Sequence, residues 1–111
     1  MVKLIYCINR KPGMPVEEFQ RYWRETHGPI AARIPGLRRY VQCHTVPAAY
    51  VGGTQPPFDG AAELWFDDME ALAAAMRSPE VQAAREDERH FIDHSRVAAF
   101  VTEEKPVVEG A

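Results

Sequence analysis

One histidine in the chain, His27, is spaced so that it shares a helix face with two aromatic residues. It follows Trp23 by four positions and Phe19 by eight, and residues at this spacing lie on one side of an α-helix. We expect the imidazole to point toward the interior, where it can act as a general acid or base. Gly28-Pro29 follows at once and predicts a kink or a restart of the helix, because proline lacks an N–H. The alternative is a structural histidine that hydrogen-bonds the last free carbonyls of its helix.

Two tyrosines and a second histidine on predicted strands are further candidates. Tyr6 and Tyr40 carry hydroxyls that can orient or protonate a substrate, although core packing with a bonded hydroxyl is an alternative for each. His44 lies on the same side of its strand as Tyr40, so it is expected to face either a cleft or a subunit interface.

Metal and cofactor chemistry find little support in the residue spacing. His90 and His94 have helical i, i+4 spacing, but with Glu86 they lack a dedicated third ligand, so we predict no metal site. Cys7 and Cys43 show no zinc spacing and are predicted to be free thiols. There is no phosphate-binding loop and no nucleophile motif, so we predict no cofactor.

Length and composition indicate one ordinary globular domain. The chain has 111 residues, of which 46% are hydrophobic and 26% charged. A net charge of −3 argues against a nucleic-acid partner, which requires clustered Lys and Arg. The sequence contains no long apolar run that spans a membrane and no signal peptide, so a cytoplasmic location is expected.

The elements that must position these side chains alternate in a simple order. Strands are predicted at 2–9, 38–46, 60–66 and 96–102. A first helix runs from about residue 15 and ends before Pro35, and a second begins at Asp67-Asp68, restarts at Ser78-Pro79 and ends near residues 90–92. A Pro- and Gly-rich loop at 47–58 is expected to be irregular and to cover the site. This is the βαββαβ order of an α+β, ferredoxin-like fold, with a four-stranded antiparallel sheet in the order 4-1-3-2. We predict one domain over 1–104 and a flexible tail at 105–111.

Both faces of the predicted sheet are apolar, which indicates a homodimer. The helices cover one face only, so a second copy is the natural cover for the other. We expect Trp65 and Phe100 to be buried by that second copy. Glu63, a carboxylate on an apolar strand, is expected to pair across the interface with an arginine such as Arg39.

Four segments together resemble the EthD family of dimeric α+β barrel proteins. They are Phe19…Tyr22-Trp23…His27-Gly28-Pro29, Leu37…Tyr40-Val41, Asp59-Gly60…Glu63-Leu64-Trp65-Phe66 and Phe91-Ile92-Asp93. The likeness covers roughly residues 3–104, and the tryptophan/His-x-Pro segment of the first helix is its most specific part. The resemblance implies ferredoxin-like subunits paired sheet to sheet, with a cleft between helices and sheet in each.

Members of that family differ in role, so the resemblance leaves the reaction open. Some resemble accessory proteins of ether-degrading oxygenase systems, and others are lactone isomerases or enzymes that dehydrate or decarboxylate aromatic polyketides. We expect a cofactor-independent enzyme that acts on a small, mostly apolar carbonyl, lactone or aromatic compound through proton transfer by His27. Isomerisation, dehydration, decarboxylation and cofactor-free oxygenation all fit. The predicted pocket residues are Trp23, Tyr6, Tyr40, Phe66 and Phe91. The alternatives are a non-catalytic ligand-binding or accessory protein of an oxygenase or degradation pathway, and a purely structural dimer.

Overall fold

The structure, a computed structural model, describes residues 1–110 and contains one antiparallel sheet. Its strands are β1 (Val2–Ile8), β2 (Arg39–His44), β3 (Gly60–Phe66) and β4 (Ala98–Thr102). They lie in the order β2-β3-β1-β4, which is the predicted order 4-1-3-2 counted from the other edge. The α+β, ferredoxin-like fold is therefore confirmed. The predicted flexible tail, 105–111, ends at Ala111, which lies outside the described residues.

The first helix changes geometry where the candidate histidine lies. It consists of α1 (Val16–Arg21), a π-helical turn (Tyr22–His27) and α2 (Gly28–Ala31). The Gly28 N–H donates to the carbonyl of Trp23, five residues back, which is the π-helical pattern. Gly28 keeps helical dihedral angles (φ −50°, ψ −52°), so the predicted break at Gly28-Pro29 takes the form of a widened turn before the proline.

Two helices follow β3, and each begins at a side-chain cap. They are α3 (Met69–Met76) and α4 (Pro79–Glu88). The side chains of Asp68 and Ser78 accept hydrogen bonds from the backbone N–H groups of Ala71 and Val81, which satisfies donors left free at a helix start. The two helix starts are therefore confirmed. Beyond Glu88 the chain continues in hydrogen-bonded turns rather than in the helix expected to residues 90–92.

The helices pack on one face of the sheet and form the core with it. Four aromatic side chains at the centre are fully buried: Phe19, Trp23, Phe66 and Phe91. Phe19 packs against both Trp23 and Phe91, with ring centroids 5.6 and 5.7 Å apart. Among the helices of residues 1–110, none has the length and apolarity needed to cross a bilayer.

Trp65, on the opposite face of the sheet, is covered by its own chain. Its side chain is only 7% exposed, because the cations of Lys3 and Arg39 lie 4.9 and 4.7 Å from the indole centroid. The indole Nε1 also donates a hydrogen bond of 2.7 Å to Glu104. The prediction that a second copy must bury Trp65 was therefore wrong, since residues distant in sequence already cover it. Phe100, on the same face, is 53% exposed.

Other side chains on this outer face also find partners within the chain or remain free. Within its own chain Glu63 pairs with Lys3 at 3.6 Å, and its expected pair with an arginine across the interface stays a prediction. Cys7 and Cys43 both lie opposite Ala61, on its two sides, and both are free. Two strand spacings separate them by about 9–10 Å, which is too far for a disulfide.

The loop before β3 is held by one buried carboxylate. The loop, expected to be irregular, contains a 3₁₀ segment, Pro47–Gly53. Asp59, 1% exposed, accepts hydrogen bonds from the Arg10 backbone N–H (2.8 Å), the Arg10 guanidinium (2.6 Å) and the Tyr50 hydroxyl (2.6 Å). Burial alone would raise the pKa of Asp59, but these hydrogen bonds, that of Gln55 and the Arg10 charge hold it below its usual value.

Candidate functional site

A cavity of about 240 Å³ lies between the helices and the sheet. Most of its wall is apolar, contributed by β1, β3 and the helical segments. Five side chains bring polar or charged groups to it: Tyr6, His27, Tyr40, Arg85 and Glu88. A mostly apolar cavity with a few converging polar groups is the usual form of a small-molecule site.

His27 is held at this wall by a carboxylate from α4. Its Nδ1 lies 2.8 Å from Oδ2 of Asp87, and the ring is 5% exposed and packs on Phe91 at 4.8 Å. An ionised carboxylate can only accept, so Nδ1 carries a proton, and in the neutral form of the ring Nε2 has the lone pair. Within residues 1–110, Nε2 has no hydrogen-bond partner. The alternative, in which the His27 side chain hydrogen-bonds the carbonyls of its own helix, does not fit, because its Nδ1 bonds Asp87 of α4 instead.

A tyrosine fixes the other oxygen of the same carboxylate. The Tyr22 hydroxyl donates to Oδ1 of Asp87 at 2.6 Å. Burial, together with this bond to a carboxylate, raises the pKa of Tyr22 to about 12, so the phenol stays protonated and remains a donor. Asp87 is therefore held from two sides, and it in turn fixes the orientation of the His27 ring.

Glu88, the next residue of α4, brings a second carboxylate to the cavity. The Tyr6 hydroxyl donates to its Oε1 at 3.0 Å, and Nε2 of His94 lies 3.1 Å from the same oxygen. Burial and the adjacent Glu88 charge raise the pKa of Tyr6, which keeps this phenol protonated. Because its proton is engaged with Glu88, Tyr6 presents only its oxygen lone pairs to a ligand.

The Tyr40 hydroxyl, in contrast, keeps a proton to donate. Nε2 of Gln42 donates to the backbone carbonyl of Trp23 at 2.9 Å and to the Tyr40 oxygen at 2.8 Å. A carbonyl cannot donate, so this contact fixes which end of the amide carries the N–H groups. The Gln42 oxygen then accepts from Nε2 of His44 at 2.8 Å. Burial raises the pKa of Tyr40 despite its bond from Gln42, so its own proton remains in place.

The structure brings four of the six predicted site residues together. Trp23, His27, Tyr6 and Tyr40 line the same cavity. Phe66 and Phe91 lie instead in the core, both fully buried, and Phe91 supports His27 from behind the wall.

The remaining candidate histidines lie elsewhere. His44 stacks on the outer side of Trp23, with ring centroids 4.3 Å apart, and faces a groove between the first helix and β2. Burial and the nearby Arg24 charge lower the pKa of His44. His90 is exposed, and residues 1–110 contain no group of three His, Cys, Asp or Glu side chains suited to a metal.

The sequence-based prediction did not include the carboxylates of Asp87 and Glu88, although their spacing from apolar residues indicates an inward position. Asp87 lies three residues after the buried Ala84 and four before the buried Phe91. Glu88 lies four residues after Ala84 and four before the buried Ile92. Both therefore lie on the inward face of α4. A carboxylate on an otherwise apolar helix face is a candidate functional residue, because burying an unpaired charge is costly.

The fold and cavity define a ferredoxin-like domain with a mostly apolar cavity between its helices and its sheet. Residues 11–95 match the EthD domain, and the chain belongs to the EthD family. An EthD family protein of known structure, from Bacillus halodurans C-125, is 30% identical, with a TM-score of 0.75. That similarity covers 95% of this chain and 99% of the other. Among curated protein sequences, none matches this chain.

Two more distant solved structures share the fold. A dimeric protein of unknown function from Bacteroides fragilis is 21% identical over 93% of this chain and 95% of its own, with a TM-score of 0.66. A mutant of SnoaB, a cofactor-independent oxygenase from Streptomyces nogalater, is 16% identical over 97% of both chains, with a TM-score of 0.65. At these identities the likeness concerns the fold alone.

Proposed function

We propose that the cavity binds a small, mostly apolar ring compound with a carbonyl or lactone group, and that His27 transfers a proton without a cofactor. The observation that supports this most is the free Nε2 of a buried histidine whose Nδ1 is fixed by Asp87 at the cavity wall. The volume sets the size of the ligand. A cavity of roughly 150 Å³ holds benzene, so about 240 Å³ suits a single substituted ring.

In this proposal three side chains have complementary roles. Nε2 of His27 removes a proton from the carbon next to the carbonyl, the C–H electron pair forms a C=C bond, and the π electrons of the carbonyl move to its oxygen. Asp87 stabilises the imidazolium that forms, and the Tyr40 hydroxyl donates to the developing oxyanion. General-base catalysis of this kind contributes about 10²–10⁴-fold in rate.

The resulting enolate fits each of the reactions that the sequence left open. Reprotonation at another carbon is an isomerisation, and loss of a neighbouring hydroxide is a dehydration. With a β-keto acid, His27 takes the proton of the carboxylic acid, loss of CO₂ from the carboxylate gives the same kind of enolate, and the imidazolium returns the proton to carbon. Cofactor-free oxygenation also begins from such an electron-rich anion, and a distant neighbour named as a cofactor-independent oxygenase supports that variant.

Hydrogen–deuterium exchange tests the proton transfer before the substrate is known. Cyclic ketones and lactones are incubated with the protein in D₂O, and loss of the α-proton signal is followed by NMR. We expect wild-type protein to accelerate exchange for at least one compound and H27Q to lose about 10²-fold or more. H90Q is the matched control, because His90 is exposed and outside the cavity.

Two results would count against the enzymatic role. Exchange that is equal in wild-type and H27Q protein would exclude His27 as the base. Binding of ring compounds without any exchange by the wild-type protein would support the alternative, a ligand-binding or accessory protein that uses the same cavity.

We also propose a homodimer formed through the sheet face that the helices leave open. Phe100 is 53% exposed on that face, and burying an aromatic side chain of this size against a second copy is favourable. The Bacteroides fragilis relative of the same fold, described as dimeric, supports this assembly.

A further inference from the structure

We infer that Glu88 makes the cavity selective for ring compounds that carry a hydroxyl group, whose proton the carboxylate accepts. The inference rests on the proposed function, in which the cavity takes a ring compound. It adds recognition of a ligand hydroxyl group, which the proposed roles of His27 and Tyr40 do not include.

One oxygen of Glu88 is occupied and the other is free. Oε1 accepts from Tyr6 and contacts His94, while Oε2 has no partner among residues 1–110. Of the fully enclosed side-chain polar atoms in that range, Asn9 Oδ1 alone is unpartnered, so Oε2 retains accessible surface, and Glu88 lines the cavity. The Glu88 side chain is only 12% exposed, so water solvates it poorly. A ligand hydroxyl supplies the donor that Oε2 lacks.

The cation nearest along the helix does not neutralise this carboxylate. Arg85 also lines the cavity, one turn before Glu88, but no ion pair within 4.0 Å joins the two side chains in the described part of the chain. Its guanidinium reaches the sulfur of Met76 instead, at 3.8 Å. The free oxygen of Glu88 therefore remains an acceptor.

This part of the cavity wall also disfavours ligand groups that can only accept hydrogen bonds. The Tyr6 proton is already donated to Glu88, so the tyrosine oxygen and Glu88 Oε2 both offer lone pairs. An ether or carbonyl oxygen placed there would leave the carboxylate unpaired. Sites built to bond a substrate hydroxyl reject analogues that lack it strongly, for this reason. A ligand carbonyl is instead expected to accept a hydrogen bond from the Tyr40 hydroxyl.

Matched probes test the selectivity directly. The 2-, 3- and 4-hydroxyacetophenones are compared with the corresponding methoxyacetophenones, which keep the ring and carbonyl but lack the donor. Dissociation constants are measured by calorimetry for wild-type, E88Q and E86Q proteins. Glu86 is exposed on the same helix, so E86Q controls for the loss of one negative charge. Thermal melting confirms that each variant is folded.

We expect the wild-type protein to bind at least one hydroxy compound about 10- to 100-fold more tightly than its methoxy partner, as for a hydrogen bond to a charged acceptor. E88Q should lose most of this preference with little change for the methoxy compound, and E86Q should retain it. If E88Q does not fold, the ratio of hydroxy to methoxy affinities in the wild-type protein serves instead, and a ratio near one overturns the role of Glu88.

The outcomes separate this inference from the function on which it rests. Equal binding of hydroxy and methoxy compounds, or a preference that E88Q keeps, overturns the role of Glu88 and leaves the cavity as a ring-binding site. Absence of binding by every compound overturns both.

Discussion

Replacing Asp59 by Ala should destabilise the protein far more than the same change at Asp67, although both residues pair with an arginine. The Asp59 side chain is 1% exposed and that of its partner Arg10 is 24% exposed. Asp67 pairs with Arg38 through two hydrogen bonds of 3.0 and 2.8 Å, but these side chains are 51% and 60% exposed. The two substitutions therefore remove similar bonds from different environments.

The burial of the first pair sets the size of the effect. Removing one partner of a buried, hydrogen-bonded ion pair costs about 3–5 kcal/mol, because the remaining charge and donors are left unpaired. Arg10 is partly exposed and can regain some hydration, so we expect about 3 kcal/mol for D59A. A domain of this size is stable by about 5–15 kcal/mol in total. The exposed pair should contribute nothing measurable, since water already solvates both charges.

Urea unfolding followed by circular dichroism measures both variants. We expect a clear drop in the midpoint for D59A and none for D67A at neutral pH. The pKa of Asp59 is lowered in the folded state, so its contribution is complete above the usual aspartate pKa of about 3.9 and is lost as the pH falls through the lower folded value. The gap between wild-type and D59A should narrow accordingly below about pH 4. Midpoints for D59A and D67A that agree within error would refute this account of the loop.

Two further substitutions test the packing around the site and the proposed dimer. G60A places a Cβ 2.5 Å from the Trp23 ring and 2.6 Å from the Cys43 carbonyl, so we expect a loss of roughly 1–3 kcal/mol in urea unfolding and weaker ligand binding. G28A is the control, because its Cβ would meet nothing closer than 3.4 Å and alanine favours the helix. A loss of stability in G28A equal to that in G60A would contradict the steric explanation. F100D should convert the dimer to a folded monomer by light scattering, whereas a wild-type protein that is already monomeric at micromolar concentration would exclude the dimer.

The features of the fold that follow from local chemistry were predictable. The cap at Ser78 and the alternation along β3 depend on neighbouring residues, and the antiparallel order follows once the elements are counted. The π-helical turn at Tyr22–His27 was not predictable, because apolar spacing of three and four residues fits both a regular and a widened turn. The cover over Trp65 was missed for another reason: Glu104, 39 residues away, reaches it only through the tertiary fold.

Some residues of the candidate site were predicted and others were not, and the difference has a physical cause. His27 and Trp23 stand out because a histidine and an aromatic residue share one helix face. Phe66 and Phe91 look the same in sequence whether they line a cavity or fill the core, since both environments are apolar. Asp87 was hidden within the charged run 86–89, which resembles an ordinary exposed helix end. Only the packing of α4 shows which of these charges point inward.

The last turn of α4 therefore determines much of the chemistry available to this domain. Consecutive helical residues point about 100° apart, so Asp87 faces the first helix and His27 while Glu88 faces β1 and Tyr6. One helix turn thus orients a histidine and a tyrosine through two separate carboxylates. A change at either position would therefore alter the side chains around the cavity, including the histidine proposed to transfer a proton. Relatives that keep the fold but differ in this turn should therefore differ in what they bind or transform.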